Sequence, residues 1–477
     1  MKARIEWTTK AERAFIYDEA IGLLERMGIR FGEGKALDVL AAAGATVDRA
    51  TGVARIPGEL VEKAMKLLPG TVTLGGATPD DDIVLDGGTH WVNSGTASHT
   101  VDMDTGEYRL STADDLRKAI MVLDKMEALD VIWPIVACND KPASTRILDE
   151  WAISLAHSNK HVQHELEAAW QVEPILRLAK ATSDAKDQRE RPRISMMCCT
   201  ASPMQSHGPM LDACVELGSH GIPIVVYSMP VSGGTSPVTV AGMVTLNTAE
   251  FLGIATAIQL MAPGTPLIFG AGGAVLDMRT TTYAFGALEG SQMSAACTEI
   301  AHMIGAPSLC PALASDAKHV GAQAGYEKAL RGMTVASSGC DLMTGGIGLL
   351  AGAGFLSMPQ IIIDNEIGQM IHRLLGEVDF SADAAQAAVI ERAGFGGDYL
   401  RQRETRARVR AGEQFFPTVA SRHSYEKWET LGETEVDTAT AKVREILAAV
   451  EAEEPKLTAD QQAEIADIYA AAAGVAV

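Results

Sequence analysis

The residues best placed by type and spacing to do chemistry stand in the stretch Ala306 to Arg331, APSLCPALASDAKHVGAQAGYEKALR. Its short apolar run, Leu309 to Ala314, suits a buried strand. The chain then turns polar at Ser315, Asp316, Lys318 and His319 and resumes as a helix from Gln323, through Ala324, Glu327, Lys328 and Leu330. A buried strand that runs into a polar loop and then a helix is half of a βαβ unit, and in such units chemistry gathers at the carboxyl ends of the strands. Asp316 offers a carboxylate to a cation. Lys318 offers a donor to an anion or, once desolvated, an amine for Schiff-base chemistry, although Asp316 beside it holds it charged. Gln323 and Glu327 lie one turn apart on one helix face. A surface loop uses the same residue types to cap itself, so the neighbourhood decides between the two readings.

Other strand ends carry a similar mixture. Trp91, Asn93, Gln163, His164, Tyr227, Met229 and Phe355 supply aromatic faces, a thioether and hydrogen-bonding side chains near the ends of apolar runs. Glycines crowd the same places: Gly233 and Gly234, Gly272, then Gly345, Gly346 and Gly348. Lacking a Cβ, they suit tight turns, or close backbone approach to something broad and flat, or a phosphate after the last two strands. The stretches GAGGA and GGIG lack the spacing and position of a dinucleotide fingerprint. Metal binding is not supported. His157, His161 and His164 have helical spacing, but the apolar pattern makes His161–His164 a strand, with His161 and Gln163 on one face and His164 on the other.

These residues must be held by repeated elements. Strand-like runs recur near Trp91–Asn93, Val131–Ala137, His161–His164, Ile194–Cys199, Ile222–Tyr227, Leu267–Phe269, Leu309–Ala314 and Leu342–Thr344. Between and after them lie helical segments at Ala113–Ala128, Thr145–His157, Glu167–Ala179, Met210–His220, Val238–Met261, Tyr283–Ile304, Gln323–Ser337 and Gln360–Leu375. Eight strands alternating with eight helices predict an α/β fold, a (β/α)8 TIM barrel, over residues 90–376. Residues 1–89 read as an amino-terminal helical cap. Residues 377–477 read as a carboxyl-terminal helical arm that wraps the barrel or buries itself in a partner subunit, which predicts a homo-oligomer.

Composition narrows the function. An apolar fraction of 47% is ample for a large core, and a formal charge of −21 disfavours nucleic acid and anionic membranes while attracting cations. Only 5% of residues are aromatic, so no base-stacking platform is visible. Seven cysteines without a C-x-x-C spacing read as reduced thiols. With no signal sequence and no unbroken apolar run of about 18 residues, the expectation is a cytoplasmic protein.

Four segments carry a family resemblance: ERMGIRFGEGKALDVLAAAGATVDRATGVARIP at 25–57, SDAKHVGAQAGYEKAL at 315–330, PQIIIDNEIGQMI at 359–371 and FFPTVASRHSYEKWETLG at 415–432. In kind and order they resemble the trimethylamine:corrinoid methyltransferase superfamily, nearly end to end. That resemblance implies a (β/α)8 barrel with extra terminal helices that moves a methyl group from a methylated amine to the cobalt of a separate corrinoid protein. The archaeal trimethylamine enzymes carry pyrrolysine and this chain has none, so it resembles the branch that includes glycine betaine:corrinoid methyltransferases.

The expected substrate is a small quaternary amine, betaine-like, and the expected partner is a corrinoid (cobalamin) protein docked over the glycine-rich mouth, with no tightly bound metal. A quaternary ammonium leaves as a neutral amine, so Co(I) can take its methyl in one displacement without an acid. The enzyme must then supply position, together with aromatic faces or a carboxylate for the cation. Three alternatives remain at this point: a lysine-dependent aldolase or lyase on the same barrel, a methyltransferase with a non-amine donor, and a non-catalytic quaternary-amine-binding protein.

Overall fold

The eight apolar runs form eight parallel strands in the computed structural model, which describes residues 3–32, 34–453 and 455–473. Residues 1, 2, 33, 454 and 474–477 of the outer segments lie outside the described residues. The strands are β1 (His90–Trp91), β2 (Val131–Ile132), β3 (His161–His164), β4 (Ile194–Cys199), β5 (Ile224–Ser228), β6 (Leu267–Ala271), β7 (Ser308–Pro311) and β8 (Leu342–Thr344). From β2 to β8 each pairs with its neighbour in sequence, and β8 pairs with β1. Closure between β1 and β2 comes from a parallel bridge, Val92 to Val131, and from Asp130 N donating to Trp91 O at 2.9 Å. The expected (β/α)8 barrel is therefore the fold.

Eight helices surround it: α1 (Ala113–Asp124), α2 (Arg146–His157), α3 (Val172–Ala181), α4 (Gly208–Ser219), α5 (Val240–Met261), α6 (Leu288–Ile304), α7 (Ala322–Ser337) and α8 (Met358–Leu375). Local chemistry marks their ends. Thr112 and Asp115 form a capping box at the start of α1, and Gly305 ends α6 in the left-handed conformation, φ +87°. Tyr283, placed by its apolar neighbours in α6, belongs instead to a short strand, Thr282–Ala284.

Alternate residues of the strands fill the barrel. Val92, Val131, Met197, Val225, Ile268, Leu309 and Leu342 make one apolar cluster, closed from below by Val72, Leu74 and Leu85 of a hairpin, Val72–Leu74 with Ile83–Leu85. His161 ties that hairpin to the lumen: Nδ1 lies 3.1 Å from Gly75 O and Nε2 lies 2.9 Å from Ser195 Oγ. Burial pushes the imidazole down to about 3, so it is neutral and serves as a hydrogen-bonding spacer.

Helix α5 is long and apolar enough, by length and composition, to cross a membrane, yet 83% of that stretch is buried. The cover is the amino-terminal cap. Helix Lys10–Arg26 lies along α5, and a small sheet of Ile29–Phe31, Thr46–Asp48 and Val53–Arg55, extended by Gln205–Ser206, packs beside it. Leu24 and Ile29 approach so closely that a Cβ on Gly253 would stand about 3.1 Å from both. The cap is thus mixed rather than all-helical, its strands being too short to show an alternation in sequence. At the other end, helix Glu435–Glu451 lies over α1 and α8, and Ala459–Ala473 lies over α3.

Candidate active site at the barrel mouth

Loops after the strands build two small sheets over the carboxyl end of the barrel. One joins His99–Val101 and Tyr108–Leu110 to Leu349–Leu350 and Phe355–Leu356; the other joins Val231–Ser232, Ala274–Asp277 and Thr282–Ala284. The Ser315–Lys318 loop is the junction between these loops. Asp316 accepts the backbone N–H of Phe285 on Oδ1 and of Gly286 on Oδ2, both at 2.9 Å. Glu327 accepts Ser315 Oγ at 2.7 Å and Asp316 N at 2.8 Å, while Gln323 Nε2 donates to its other oxygen at 2.8 Å. Carbonyls of Ser315 and Ala317 take the N–H groups of Gly352 and Ala351.

Asp316 and Glu327 therefore have their oxygens occupied by the protein itself. Lys318 is exposed, its ammonium 2.6 Å from Asp316 O, so the desolvation that Schiff-base chemistry requires is missing. Phe355 packs with Leu350, Ala317 and Ala324 and meets Tyr108 edge-on at 5.7 Å, bracing the same junction rather than the lumen. We expect Asp316→Asn to destabilise the protein by about 1.5–3 kcal/mol, because one backbone N–H would face an amide N–H where it now meets a charged acceptor. Chemical denaturation measures this; unchanged stability with weakened cation binding would restore Asp316 to the binding role.

Three further expectations change with the side chains' directions. Trp91 points outward between the strand and the helices, with Nε1 2.5 Å from His372 Nε2 and its ring beside Gly332 and Gly368. His164, also outward, meets Glu150 of α2 at 3.0 Å and the Trp151 ring at 5.4 Å. Asn93 closes the barrel seam where backbone pairing runs out: Oδ1 accepts Trp133 N at 2.7 Å and Nδ2 donates to Trp133 O. None of the three is free to meet a ligand at the mouth.

The glycines are explained by the protein's own atoms. A Cβ on Gly272 would lie 2.5 Å from Tyr227 Cζ, on Gly345 2.7 Å from Pro311, on Gly346 1.9 Å from Leu313 O and on Gly348 2.6 Å from Ile361. Gly233 and Gly234 form a turn after β5, Gly233 at φ +79°. The mouth is thus close-packed by backbone and rings, not left open as a glycine-lined platform.

What does converge inside the mouth is a different group. Tyr227 and Trp133 meet edge to face, ring centroids 6.4 Å apart at 77°, and both retain slight exposure. Trp133 occupies the space that a Cβ on Gly95 would take, 2.2 Å from its indole. The register His161 to Val131 and Val162 to Ile132, continued by one residue, sets Gln163 beside Trp133. Gln163 Nε2 and Trp133 Nε1 are both buried donors with no partner among the described residues. Just past the end of β3, half-buried Glu165 carries a carboxylate that accepts no hydrogen bond among the described residues and stands near enough to Cys199 for its charge to act on that thiol. Cys199, paired in register with Tyr227, completes the group; burial, then the Glu165 charge, pushes its thiol up. Burial likewise raises Tyr227 well above an ordinary phenol, so its ring is neutral. Met229, beyond Tyr227, stands at the exposed rim.

Helix α5 fixes this group through Glu250, a fully buried carboxylate. It accepts Thr200 Oγ1 at 2.6 Å, Ser202 Oγ at 2.8 Å, Met204 N at 2.7 Å and the Ser228 hydroxyl, pinning the ends of β4 and β5. Of the expected residues, Gln163 and Tyr227 come together inside the mouth. Trp133, Glu165 and Cys199 were not among them; its place directly after His164, just past the end of β3, is the signal that would have included Glu165. Among the described residues no cluster of His, Cys, Asp and Glu has metal-binding geometry.

A family model described as Trimethylamine methyltransferase (MTTB) matches residues 2–472. The trimethylamine methyltransferase MttB of Desulfitobacterium hafniense is 30% identical over 87% of this chain and 84% of its own length. A glycine betaine methyltransferase of Desulfitobacterium hafniense strain Y51 is 27% identical over 94% of each chain. Among solved structures, the Methanosarcina barkeri monomethylamine methyltransferase MtmB superposes with a TM-score of 0.52 at 12% identity, over 93% of this chain and 89% of that one, a likeness of fold.

Proposed function

The chain belongs to the trimethylamine methyltransferase family, and from that premise we propose that it moves a methyl group from a small quaternary amine, a betaine foremost, to the corrinoid of a partner protein. The observation that carries this reading is the lumen group: two neutral aromatic rings and a carboxylate without a hydrogen-bonding partner, at the end of the barrel where chemistry gathers. Cation–π contacts contribute about 0.5–2 kcal/mol each. Glu165 supplies the countercharge. The unpartnered N–H groups of Gln163 and Trp133 suit the carboxylate of a betaine, since a buried donor left unpaired costs about 1–3 kcal/mol.

The corrinoid brings the nucleophile, Co(I), and is the methyl acceptor. The residues of this chain hold the donor so that one N–CH3 bond points out of the mouth. Their rings exclude water, and as the bond breaks its electron pair stays on nitrogen, leaving a neutral amine. Fixing donor and acceptor in line contributes about 7–11 kcal/mol relative to free encounter. No group of this chain has to donate a proton, so the rate should vary weakly with pH between about 6 and 8, where general acid catalysis gives a bell. Seven unbridged cysteines suit the reducing cytoplasm that a Co(I) acceptor requires, and we take the working form to be a homo-oligomer.

The test mixes the protein and reduced cobalamin with betaines, choline, carnitine and trimethylamine in turn and follows loss of the Co(I) absorbance. Turnover with one or more quaternary amines is expected, fastest with a betaine. Activity with trimethylamine alone, or none with any quaternary amine, overturns the proposal.

A further inference from the structure

Residues 377–432 leave the barrel after α8 and bury almost nothing: only Val389 and Val419 of the whole stretch are buried. Its short helices are Ala382–Ala385, Ala387–Ala393, Arg403–Arg410 and Tyr425–Leu431. Phe380 is 91% exposed, Leu400 89%, and Phe395 is wholly exposed. The excursion is nonetheless anchored. Glu366 of α8 accepts the N–H groups of Thr418, of Val419 at 2.7 Å and of Ala420 at 3.0 Å, and Arg373 donates to Glu413 O at 2.5 Å. A segment tied down at its return, with large apolar side chains in water along its length, is half of an interface.

Its charge says which surface completes it. Residues 401–410, RQRETRARVR, hold five arginines and one glutamate in a chain of net charge −21. Arg408 pairs with Asp383, but Arg401, Arg403, Arg406 and Arg410 are exposed and form no ion pair among the described residues. The excursion 377–412 as a whole is balanced, six arginines against six carboxylates, but this one stretch is a basic patch on an acidic body and is complementary to a second copy of that body. The anchor borders a receptive site: between α7 and α8 lies a groove of about 470 Å³ lined by Met333, Ile363, Ile367, Met370 and Leu374, with Glu435 at its edge. Met370 and Leu374 are 45% and 66% exposed there. We propose that the 377–412 excursion of one copy docks in the α7–α8 groove of a second copy, reciprocally about a two-fold axis. Arm and groove spring from the same face, as a self-complementary interface requires. Phe395 and Leu400 fill the groove and the four free arginines meet carboxylates of the other body.

Sedimentation of the full chain tests this, with circular dichroism as the control for folding. The wild type should be dimeric or larger. Phe395→Ser/Leu400→Ser in the arm and Leu374→Asp in the groove should each weaken association at least about tenfold, with the barrel still folded. Mixing the two variants should restore association, since the mixed pair regains one intact arm in one intact groove while neither variant alone has any. A monomeric wild type, a groove variant that associates normally, or a mixture that stays dissociated would overturn the proposal. The Arg403→Glu/Arg406→Glu variant should also dissociate, and normal association by it would refute the electrostatic half.

Discussion

Glu165→Gln is expected to raise the KM for the quaternary amine about 10- to 100-fold and leave the stability of the protein unchanged. The carboxylate accepts no hydrogen bond among the described residues, so an amide of the same shape removes charge without removing a structural contact. An ion pair at about 4 Å in an environment of effective dielectric about 20 is worth about 4 kcal/mol, and the partial solvation of Glu165 reduces that to the 1.4–2.8 kcal/mol that the range corresponds to. The sharper measurement uses 3,3-dimethylbutanoate, in which carbon replaces the charged nitrogen of glycine betaine. Its binding should not weaken in Glu165→Gln, because the cation–carboxylate attraction is absent from the start. Equal losses for betaine and for the neutral isostere would mean that Glu165 shapes the cavity rather than supplying charge, and a lowered unfolding midpoint would make it a scaffold residue.

The barrel was legible because each strand announces itself twice, as an apolar run and as the gap between two helical segments. The segments that escaped are those without period: strands of two to four residues in the loops over the mouth, such as Val231–Ser232 and Phe355–Leu356, where pairing comes from tertiary proximity. The site was half legible. A polar or aromatic residue near a strand end reads as ligand-facing, yet direction depends on the strict alternation of the pleat. That alternation turns Trp91 and His164 outward while Gln163 and Tyr227 stay in. Asn93 shows a second limit. Its amide replaces a missing backbone pair at the β1–β2 seam, a need that exists only once the barrel has closed. The glycines show a third. Gly95 and Gly272 do mark the site, because the volume they leave is filled by Trp133 and Tyr227. Trp133 was hidden within the apolar run Val131–Ala137, just past the end of β2, and only the edge contact with Tyr227 reveals that the two rings share the lumen.

Lys328→Met should cost about 3–5 kcal/mol, the largest single effect on stability expected in this chain. Lys328 and Asp364 are both fully buried between α7 and α8 and meet at 2.7 Å. The same carboxylate takes Gly348 N at 2.8 Å and Gln360 Nε2 at 2.7 Å, while Lys328 donates to Gly346 O at 2.5 Å. Burial pushes Asp364 up and Lys328 down, so each ion depends on the other for its charge. Methionine leaves Asp364 buried beside two donors and no cation. Its folded pKa, already above the unfolded value of about 3.9, rises further. The sign follows: the folded variant holds a proton that the unfolded chain releases, so its deficit against wild type is smallest near pH 4 and grows as pH rises toward 7. Asp364→Asn leaves Lys328 buried without its counter-ion and so pushed further down; the unfolded chain then binds the extra proton, and this deficit should have the opposite slope, largest at low pH and shrinking as pH rises. Lys328→Met/Asp364→Leu should recover part of the loss, because two apolar groups leave no charge unpaired, although Gly346 O and Gly348 N lose their partners. Those two groups belong to the loop after β8, so the double variant separates stability from geometry: a well-folded protein whose loop no longer closes correctly should lose turnover. Urea titration of the three variants from pH 4 to pH 8 decides the matter, and a pH-independent deficit in Lys328→Met would mean that packing, not the buried charge, dominates at this position.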